Sequence, residues 1–371
     1  MTRPIPMVDM TRWHTEIQKE LESTALKVLR SGRFILGSEL EAFEHEAARY
    51  LGSEFAIGCA SGTDALILAL KAAGIQPGDE VITTPFTFFA TAEAIVQVGA
   101  NPVFIDIDSK SYNLDPQQIT SAITPKTRAV LIVHLFGCPA KIDAIVSICK
   151  THNLILLEDC AQSFGAAFAN QKTGTFGLAG CYSFFPSKNL GGFGDGGLVV
   201  TDCPKVAERL LELRNHGSLR QYHHKTIGYN SRLDELQAAL LRVKLRYIDA
   251  YNKSRRQVAK WYGEYLNNTR LCLPEEPADN CHHVFNQYTV LAENRDTLKK
   301  HLETQGIASS VFYPVPLYHQ PSLSHCQSVI NWDDRTPETE KVSRKCLSLP
   351  IYPYIPQEHI AYIASVLESS R

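Results

Sequence analysis

The sequence predicts an α/β fold with a mostly parallel β-sheet, because short apolar runs alternate with segments of helical periodicity. The apolar runs are bounded by turn residues and are rich in branched or aromatic side chains, which is typical of buried strands. These predicted strands lie at residues 55–59, 80–83, 102–105, 129–133, 154–157, 180–184 and 197–200. Helical patterns lie between most of them, at residues 64–73, 87–98, 117–123 and 142–151.

Two further helices are predicted ahead of the first strand. Residues 13–29 carry apolar side chains at helical spacing. Ser38 followed by Glu41 has the spacing of a capping box, which satisfies the free N–H groups of a helix start. We therefore expect a second helix that begins at this pair and ends before Gly52.

The pattern changes after Asp234. Residues 235–266 form a long, charge-studded amphipathic segment, which predicts a helix or a helix pair that bridges two domains. Beyond it the sequence predicts a strand, a helix and another strand, at residues 283–291, 295–305 and 308–312. Since 371 residues are enough for two domains, we expect a large domain over residues 1–250 and a smaller α+β domain over residues 251–371.

The composition is ordinary for a soluble protein, with 44% hydrophobic and 20% charged residues. A net charge of −2 gives no excess of positive charge that would favour binding to nucleic acid or to an anionic membrane. The N-terminus lacks an apolar signal segment, and no apolar run reaches the roughly 20 residues that a membrane span needs. We expect a cytoplasmic protein whose partners are small molecules.

The ten cysteines are scattered along the chain, and no two of them have CxxC spacing. Zinc sites usually place cysteine or histidine ligands in close pairs, so no metal site is expected. Two adjacent histidines, His223 and His224, lack a third ligand at useful spacing. The cysteines are therefore interpreted as reduced, mostly buried thiols.

Charged side chains follow two of the predicted strands, at the point where each strand ends. Asp159 comes at the end of the strand at 154–157, and Lys188 follows the strand at 180–184. In open α/β sheets, ligands bind where strands end. An acid and a lysine on neighbouring strand ends are the minimum arrangement for a pyridine cofactor held as a Schiff base. Glu158 is the rival acid, but its side chain should point to the opposite face of the strand.

A glycine-containing turn, Ala60-Ser61-Gly62-Thr63, lies between a predicted strand and a predicted helix. The free amides of a helix start attract anions, and glycine lets a phosphate approach the backbone closely. The alternative is a plain capped turn with no ligand, which could have the same sequence.

Residues 192–197 match G-x-G-x-x-G, but a strand-like segment follows instead of a helix, which argues against dinucleotide binding.

Three motifs resemble the signature of the DegT/DnrJ/EryC1/StrS family of sugar aminotransferases: EDCAQSFGA, SFFPSKNLG and GDGG. The similarity extends from about Val8 to the C-terminal region. The resemblance implies an aspartate-aminotransferase-like fold (fold type I) and pyridoxal 5′-phosphate (PLP) as cofactor. It also implies that Lys188 forms the Schiff base and acts in proton transfer, that Asp159 faces the pyridine nitrogen, and that L-glutamate is the amino donor.

The resemblance assigns further residues to the cofactor. Gly62, Thr63 and Ser183 correspond to residues that hold the phosphate, and Gln162 corresponds to a residue near the phenolic oxygen of the ring. Phe88 is the candidate for stacking on the ring, with Phe86 as second choice.

The NSRLD motif at residues 230–234 resembles one that a partner subunit supplies to the active site. By this likeness Asn230 reaches the cofactor phosphate and Arg232 faces the substrate, which implies a homodimer with shared sites. His224 and Tyr313 are the other candidates for substrate contact.

The expected substrate is a nucleotide-linked keto-sugar, because the motifs look most like the branch that aminates C3 of a 3-keto sugar on UDP or dTDP, in O-antigen or related glycan synthesis. Members that act on uronic acids tend to have His-Tyr-Pro where this chain has Phe312-Tyr313-Pro314, and phenylalanine cannot bind a carboxylate. A C4 ketone, a PLP-dependent sugar dehydratase and a non-catalytic regulator are the alternatives. Dehydratase members carry histidine at the position of Lys188.

Overall fold

The computed structural model describes residues 4–11, 15–220, 222–275, 278–326 and 335–369. Its central feature is a seven-stranded sheet in the order β1-β9-β8-β5-β4-β2-β3. Only β9 runs antiparallel to its neighbours, so the predicted mostly parallel sheet is confirmed. The strands are β1 (Phe55–Cys59), β2 (Glu80–Thr83), β3 (Asn101–Phe104), β4 (Thr127–Val133), β5 (Ile155–Asp159), β8 (Ala179–Ser183) and β9 (Gly197–Thr201).

Five short strands form two further sheets: β10 (Cys281–His282) pairs with the hairpin of β6 (Ala167–Phe168) and β7 (Gln171–Lys172), and β11 (Tyr288–Leu291) pairs with β12 (Cys346–Leu349). The helices are α1 (Gln18–Ser31), α2 (Ser38–Leu51), α3 (Gly62–Ala72), α4 (Ala90–Gln97), α5 (Ile119–Ala122), α6 (Ile142–Thr151), α7 (Pro204–Arg214), α8 (Glu235–Leu245), α9 (Ile248–Leu266), α10 (Arg295–Thr304), α11 (Pro337–Lys345) and α12 (Gln357–Ser369). Of the described helices, none is both long and apolar enough to cross a membrane.

The start of α2 corrects one prediction. The helix forms as expected, but Gly37 occupies the capping position and no capping-box hydrogen bond is made. Instead, the buried carboxylate of Glu235 accepts hydrogen bonds from the N–H groups of Gly37, Glu39 and Leu40, at 2.9 to 3.0 Å. A side chain from the start of α8 therefore satisfies the free amides that Ser38 was expected to cap.

The start of α1 lies later than predicted, at Gln18, and residues 13 and 14 of the predicted helix lie outside the described part of the chain. The helix pair expected over residues 235–266 is confirmed as α8 and α9.

The C-terminal part of the chain builds its own cluster of buried side chains from α9, β11, β12 and α12. The strand predicted at residues 308–312 is wrong. Ser310 makes only an isolated bridge to Ser348 there, while the amide of Ala308 donates to Ile5 near the N-terminus. A domain boundary at residue 250 remains a prediction.

β1, β2, β4, β5 and β8 run in the same direction, so their carboxyl ends lie at one edge of the large sheet. The segments that follow these strands carry the predicted site residues. Asp159 and Gln162 are buried at this edge, which is where open α/β sheets form the cleft that binds ligands.

Candidate active site

Asp159 lies at the end of β5 and is 5% exposed. Its Oδ2 accepts a hydrogen bond from Thr91 Oγ1 at 2.8 Å, and its Oδ1 accepts one from the amide of Ala161 at 3.1 Å. Burial raises the pKa of the carboxyl group, while these hydrogen bonds and the charge of Lys188 oppose the rise. Asp159 is thus a firmly held carboxylate that a buried positive charge would stabilise further.

Lys188 lies in the turn after β8, where its amide donates to the carbonyl of Phe185 at 2.8 Å. Burial lowers the pKa of its amine to about 8, and the negative charge of Asp159 partly offsets this effect. An amine with a pKa of about 8 is roughly one-tenth neutral at pH 7, far more than an ordinary lysine, and the neutral form is the one that a nucleophile or proton acceptor requires.

A network of three buried asparagines fixes the residue next to Lys188. Asn189 Nδ2 donates to Asn252 Oδ1 at 2.7 Å and to the carbonyl of Val284 at 3.1 Å. Asn286 Nδ2 donates to Asn189 Oδ1 at 2.8 Å. The turn that carries Lys188 is therefore held by α9 and by the segment before β11.

The turn after β1 packs directly against the end of β8. A Cβ atom at Gly62 would lie 2.6 Å from Ser183 Cβ, so only glycine fits there. Ser61 Oγ accepts a hydrogen bond from the amide of Asp64 at 3.1 Å, which caps α3 and leaves other amides of its first turn available. Half-buried Gly62, Thr63 and Ser183 together form a small polar cradle at the start of a helix.

Gln162 connects the edge of the sheet to Tyr313. Its Oε1 accepts from the amide of Phe136 at 2.6 Å, and its Nε2 donates to the hydroxyl oxygen of Tyr313 at 3.0 Å. The Tyr313 ring lies 6.3 Å from the ring of Phe88, which is 58% exposed. Phe86 is fully buried in an aromatic cluster, which leaves Phe88 as the ring that is free to stack on a ligand.

The structure does not bring Asn230, Arg232 and His224 into this group. Asn230 is exposed and pairs with Asn215 in an isolated bridge. Arg232 Nη1 donates to Asn215 Oδ1 at 3.0 Å, and its buried Nε has no hydrogen-bond partner. His224 is exposed, with its Nδ1 2.9 Å from the carbonyl oxygen of His216. Within the described residues, no hydrogen bond joins these three side chains to Asp159, Lys188 or Gln162.

A second buried cluster lies behind Asp159 and resembles a metal site in composition. The ligand atoms of His134, Glu158 and Cys160 lie within 4.8 Å of one another. However, His134 Nε2 is hydrogen bonded to Glu158 at 2.9 Å, and its Nδ1 accepts from the amide of Ala140. Glu158 also accepts from three amides, of Gly174, Phe176 and Gly177. These polar atoms are used for structure, on the face opposite Asp159 as predicted.

Sequence reasoning missed Thr91 and the asparagine network. Thr87 and Thr91 are one helical turn apart, but nothing in that spacing indicates which strand end they face. The asparagines are separated by 34 to 97 positions in the chain, so only the folded structure reveals that they meet.

The titration of Lys188 provides a direct test of this geometry. In cofactor-free protein, acetylation of Lys188 by a trace of acetic anhydride should rise through pH 8, because its pKa is lowered to about 8. Replacing Asp159 with asparagine removes a charge that favours the ammonium form, so the midpoint should move to lower pH. Mass spectrometry of the peptide over residues 173–205 measures the labelling, with exposed Lys253 as reference for reagent decay.

A midpoint near the ordinary lysine value of about 10.4 would contradict the buried setting of Lys188. A midpoint that stays the same in Asp159→Asn would contradict the electrostatic contact between the two groups.

Comparison with known proteins identifies the family. The family model for DegT/DnrJ/EryC1/StrS aminotransferases matches residues 15–368. The UDP-N-acetyl-3-dehydro-alpha-D-glucosamine 3-aminotransferase of Acidithiobacillus ferrooxidans is 47% identical over 98% of this chain and 97% of its own. The crystal structure of S. venezuelae DesV in complex with a ketimine intermediate has a TM-score of 0.95 at 40% identity, covering 100% of this chain and 99% of that one.

Bacillus subtilis NtdA, solved with bound cofactor PMP, has a TM-score of 0.90 at 28% identity over 99% of this chain and 86% of that one. These structural neighbours confirm the predicted fold type I. The chain belongs to the DegT/DnrJ/EryC1/StrS aminotransferase family.

Proposed function

We propose that the cleft at the carboxyl edge of the sheet binds PLP and transfers an amino group from L-glutamate to a nucleotide-linked 3-keto sugar. The residues fit the cofactor at each of its ends. The cradle of Gly62, Thr63 and Ser183 suits a phosphate, because a side chain at Gly62 would collide with Ser183. Asp159 is the buried carboxylate that suits a protonated ring nitrogen, and Lys188 is the amine that suits the aldehyde.

When bound, PLP supplies an aldehyde that condenses with amines and a ring that withdraws electrons from the adjacent carbon. Asp159 would hold a proton on the ring nitrogen and so preserve this electron withdrawal. Lys188 would hold the aldehyde, and its Nζ would serve as the group that accepts and returns the transferred proton. Gln162 would lie toward the ring oxygen, and Phe88 would offer its face to the ring.

A lysine with a pKa of about 8 suits this proton transfer, because a pKa close to the working pH lets the amine both accept and donate a proton. Thr91 has a supporting part, since its hydrogen bond at 2.8 Å favours the charged form of Asp159. The single observation that carries the proposal is the joint placement of this acid, this amine and the cradle on one edge of the sheet.

For the acceptor, we propose a neutral 3-keto sugar on UDP, with a neutral 3-keto-6-deoxy sugar on dTDP as the second choice. The Acidithiobacillus ferrooxidans relative is named for a UDP-linked 3-keto sugar that is not a uronic acid. Phe312 supports a neutral sugar, because its half-buried ring lies 5.8 Å from that of Tyr313, beside the cleft, and offers no hydrogen-bond donor to a carboxylate.

We also propose a homodimer in which Asn230, Arg232 and His224 complete the site of the partner subunit. Asn230 and His224 are exposed, so their side chains are available to a second copy of the chain. The same loop carries Ile227, which is 92% exposed, and Ile35 of the exposed apolar segment 34–36 forms a bridge to Asp234. Large exposed apolar side chains often mark a protein–protein interface, which supports a second copy of the chain packed against them.

A cytoplasmic location is part of the proposal. Nine cysteines in the described part of the chain are free thiols, as expected for a protein made in a reducing compartment.

The absorbance spectrum of the cofactor-loaded protein tests the reaction. L-Glutamate should convert the aldehyde form to the amine form, and a keto-sugar that the site accepts should restore the original band. We expect restoration by UDP-linked 3-keto-N-acetylglucosamine first and by dTDP-linked 3-keto-6-deoxyglucose second. The corresponding UDP-linked 3-keto uronate and a dTDP-linked 4-keto sugar should react at least about tenfold more slowly, for a difference of roughly 1.4 kcal/mol.

Two variants sharpen the result. Lys188→Ala should lose the band and the reaction, and Phe312→His should shift the preference toward the uronate by adding a donor beside the cleft. Faster reaction of the 4-keto sugar would overturn the C3 assignment. Loss of a sugar hydroxyl without consumption of glutamate would indicate a dehydratase, and no spectral response to any amine would favour a regulator.

Subunit exchange tests the shared site. Asn230→Ala and Lys188→Ala proteins should each be nearly inactive, yet a mixture should regain up to about a quarter of the wild-type rate, because a heterodimer can hold one site with neither change. As a control, Lys253→Ala changes an exposed residue. When it is mixed in the same way with Lys188→Ala, the rate should not exceed the rate of the Lys253→Ala protein present in the mixture. Absence of any gain after verified exchange would contradict sites that are shared between subunits.

A further inference from the structure

The segment that holds Asn189 also crosses the segment that holds Gln162. We call residues 281–287 the strap and residues 135–138 the post-β4 segment. The amide of Val284 donates to the carbonyl of Gly137 at 3.0 Å, and the amide of Asn286 donates to the carbonyl of Phe136 at 2.8 Å. Positions rise along one segment as they fall along the other, so the two run antiparallel. The next residue, Cys138, therefore lies toward the beginning of the strap.

The first residue of the strap is also a cysteine, Cys281. Both thiols line a cavity of about 230 Å³ between the post-β4 segment and the strap, together with Tyr112, Phe168 and His283. Both cysteines are half-buried, whereas most of the other described cysteines are buried in the core. A small oxidant can therefore reach them through this cavity.

The two thiols also affect each other's acidity. The interaction of the two thiols raises the pKa of Cys138 and lowers the pKa of Cys281, although burial opposes the decrease at Cys281. A lowered pKa favours the thiolate, which is the reactive form of cysteine. Cys281 is consequently the expected nucleophile of the pair, and Cys138 the residue that resolves its oxidation product.

We propose that Cys138 and Cys281 form a redox-responsive pair, which a hydroperoxide converts to a disulfide between the post-β4 segment and the strap. The Cys281 thiolate attacks a peroxide oxygen, the O–O bond breaks, and the sulfur becomes a sulfenic acid as hydroxide leaves. The Cys138 sulfur then attacks this sulfur and loses its proton, and the S–O bond breaks to release water. Overall, two thiols lose two electrons and two protons, and one hydrogen peroxide becomes two waters.

Such a bridge would act on both sides of the cleft. The strap holds Asn189, the neighbour of Lys188, through the backbone carbonyl of Val284 and the side-chain Nδ2 of Asn286. The post-β4 segment holds Gln162 through the amide of Phe136. In a reducing compartment the pair rests as thiols, and the disulfide forms under peroxide stress and is reversed by a dithiol.

Peptide mapping tests the proposal on the cofactor-free full-length protein, so its outcome does not depend on the proposed reaction. Cys272 and Cys281 share one tryptic peptide, residues 271–295, so a Cys272→Ser background removes the ambiguity. After hydrogen peroxide and alkylation of remaining thiols, this peptide should be linked to residues 129–141, which contain Cys138. Dithiothreitol should release the link.

Matched variants separate the pair from the other cysteines. Cys281→Ser should abolish the link, whereas Cys203→Ser, which changes another half-buried cysteine, should leave it intact. Oxidation should raise the midpoint of thermal unfolding in the Cys203→Ser protein and leave that of Cys281→Ser unchanged.

Sulfinic acids without the link, or a link to any other cysteine, would overturn the proposal. If Cys281→Ser fails to fold, fragmentation of the linked peptide from wild-type protein still decides whether Cys281 or Cys272 carries the bond.

Discussion

The electrostatic interaction between buried Asp159 and half-buried Lys188 is the constraint on which the site depends. Asp159 and Lys188 are placed by adjacent parallel strands, β5 and β8, so the sheet itself sets their separation. Removing either charge from water is costly, and each partly offsets the cost of the other. A cationic ring bound beside Asp159 would relieve the carboxylate and leave the lysine free to become neutral. This electrostatic arrangement is one that suits a protonated pyridine ring.

Three sets of hydrogen bonds hold the segments that carry Asp159 and Lys188. Thr91 and the amide of Ala161 fix the carboxylate, and the asparagine network fixes the turn that carries the lysine. The strap connects that turn to the post-β4 segment and so to Gln162. Because these contacts are hydrogen bonds between buried groups, loss of one partner leaves the other unsatisfied. The cleft is therefore preorganised, and a change at the strap can reach both the lysine and the ring-binding side.

The residues at the strand ends could be predicted from the sequence, whereas contacts between residues far apart in the chain could not. Asp159 could be predicted because an apolar run ends there and parallel strands end at one edge. Thr91 could not, since its hydrogen bond to Asp159 spans 68 positions and depends on how α4 is rotated. The cap of α2 comes from Glu235, nearly 200 positions away in the chain. The nearby Ser38 and Glu41 have the spacing of a capping box, which is why the sequence predicted a local cap instead. A strand at 308–312 was wrong because single-sequence periodicity cannot reveal a missing partner strand. The roles assigned to Asn230 and Arg232 depend on a second copy of the chain.

The central claim is that Lys188 is the amine that binds the cofactor aldehyde next to Asp159. Borohydride reduction of the PLP-loaded protein fixes the cofactor to whichever lysine it occupies, and mass spectrometry of the tryptic peptides identifies that lysine. We expect one pyridoxyl phosphate group per chain, on Lys188, within an uncleaved peptide over residues 173–205. A stoichiometric adduct on another lysine, or no adduct in protein that has taken up PLP, would contradict it.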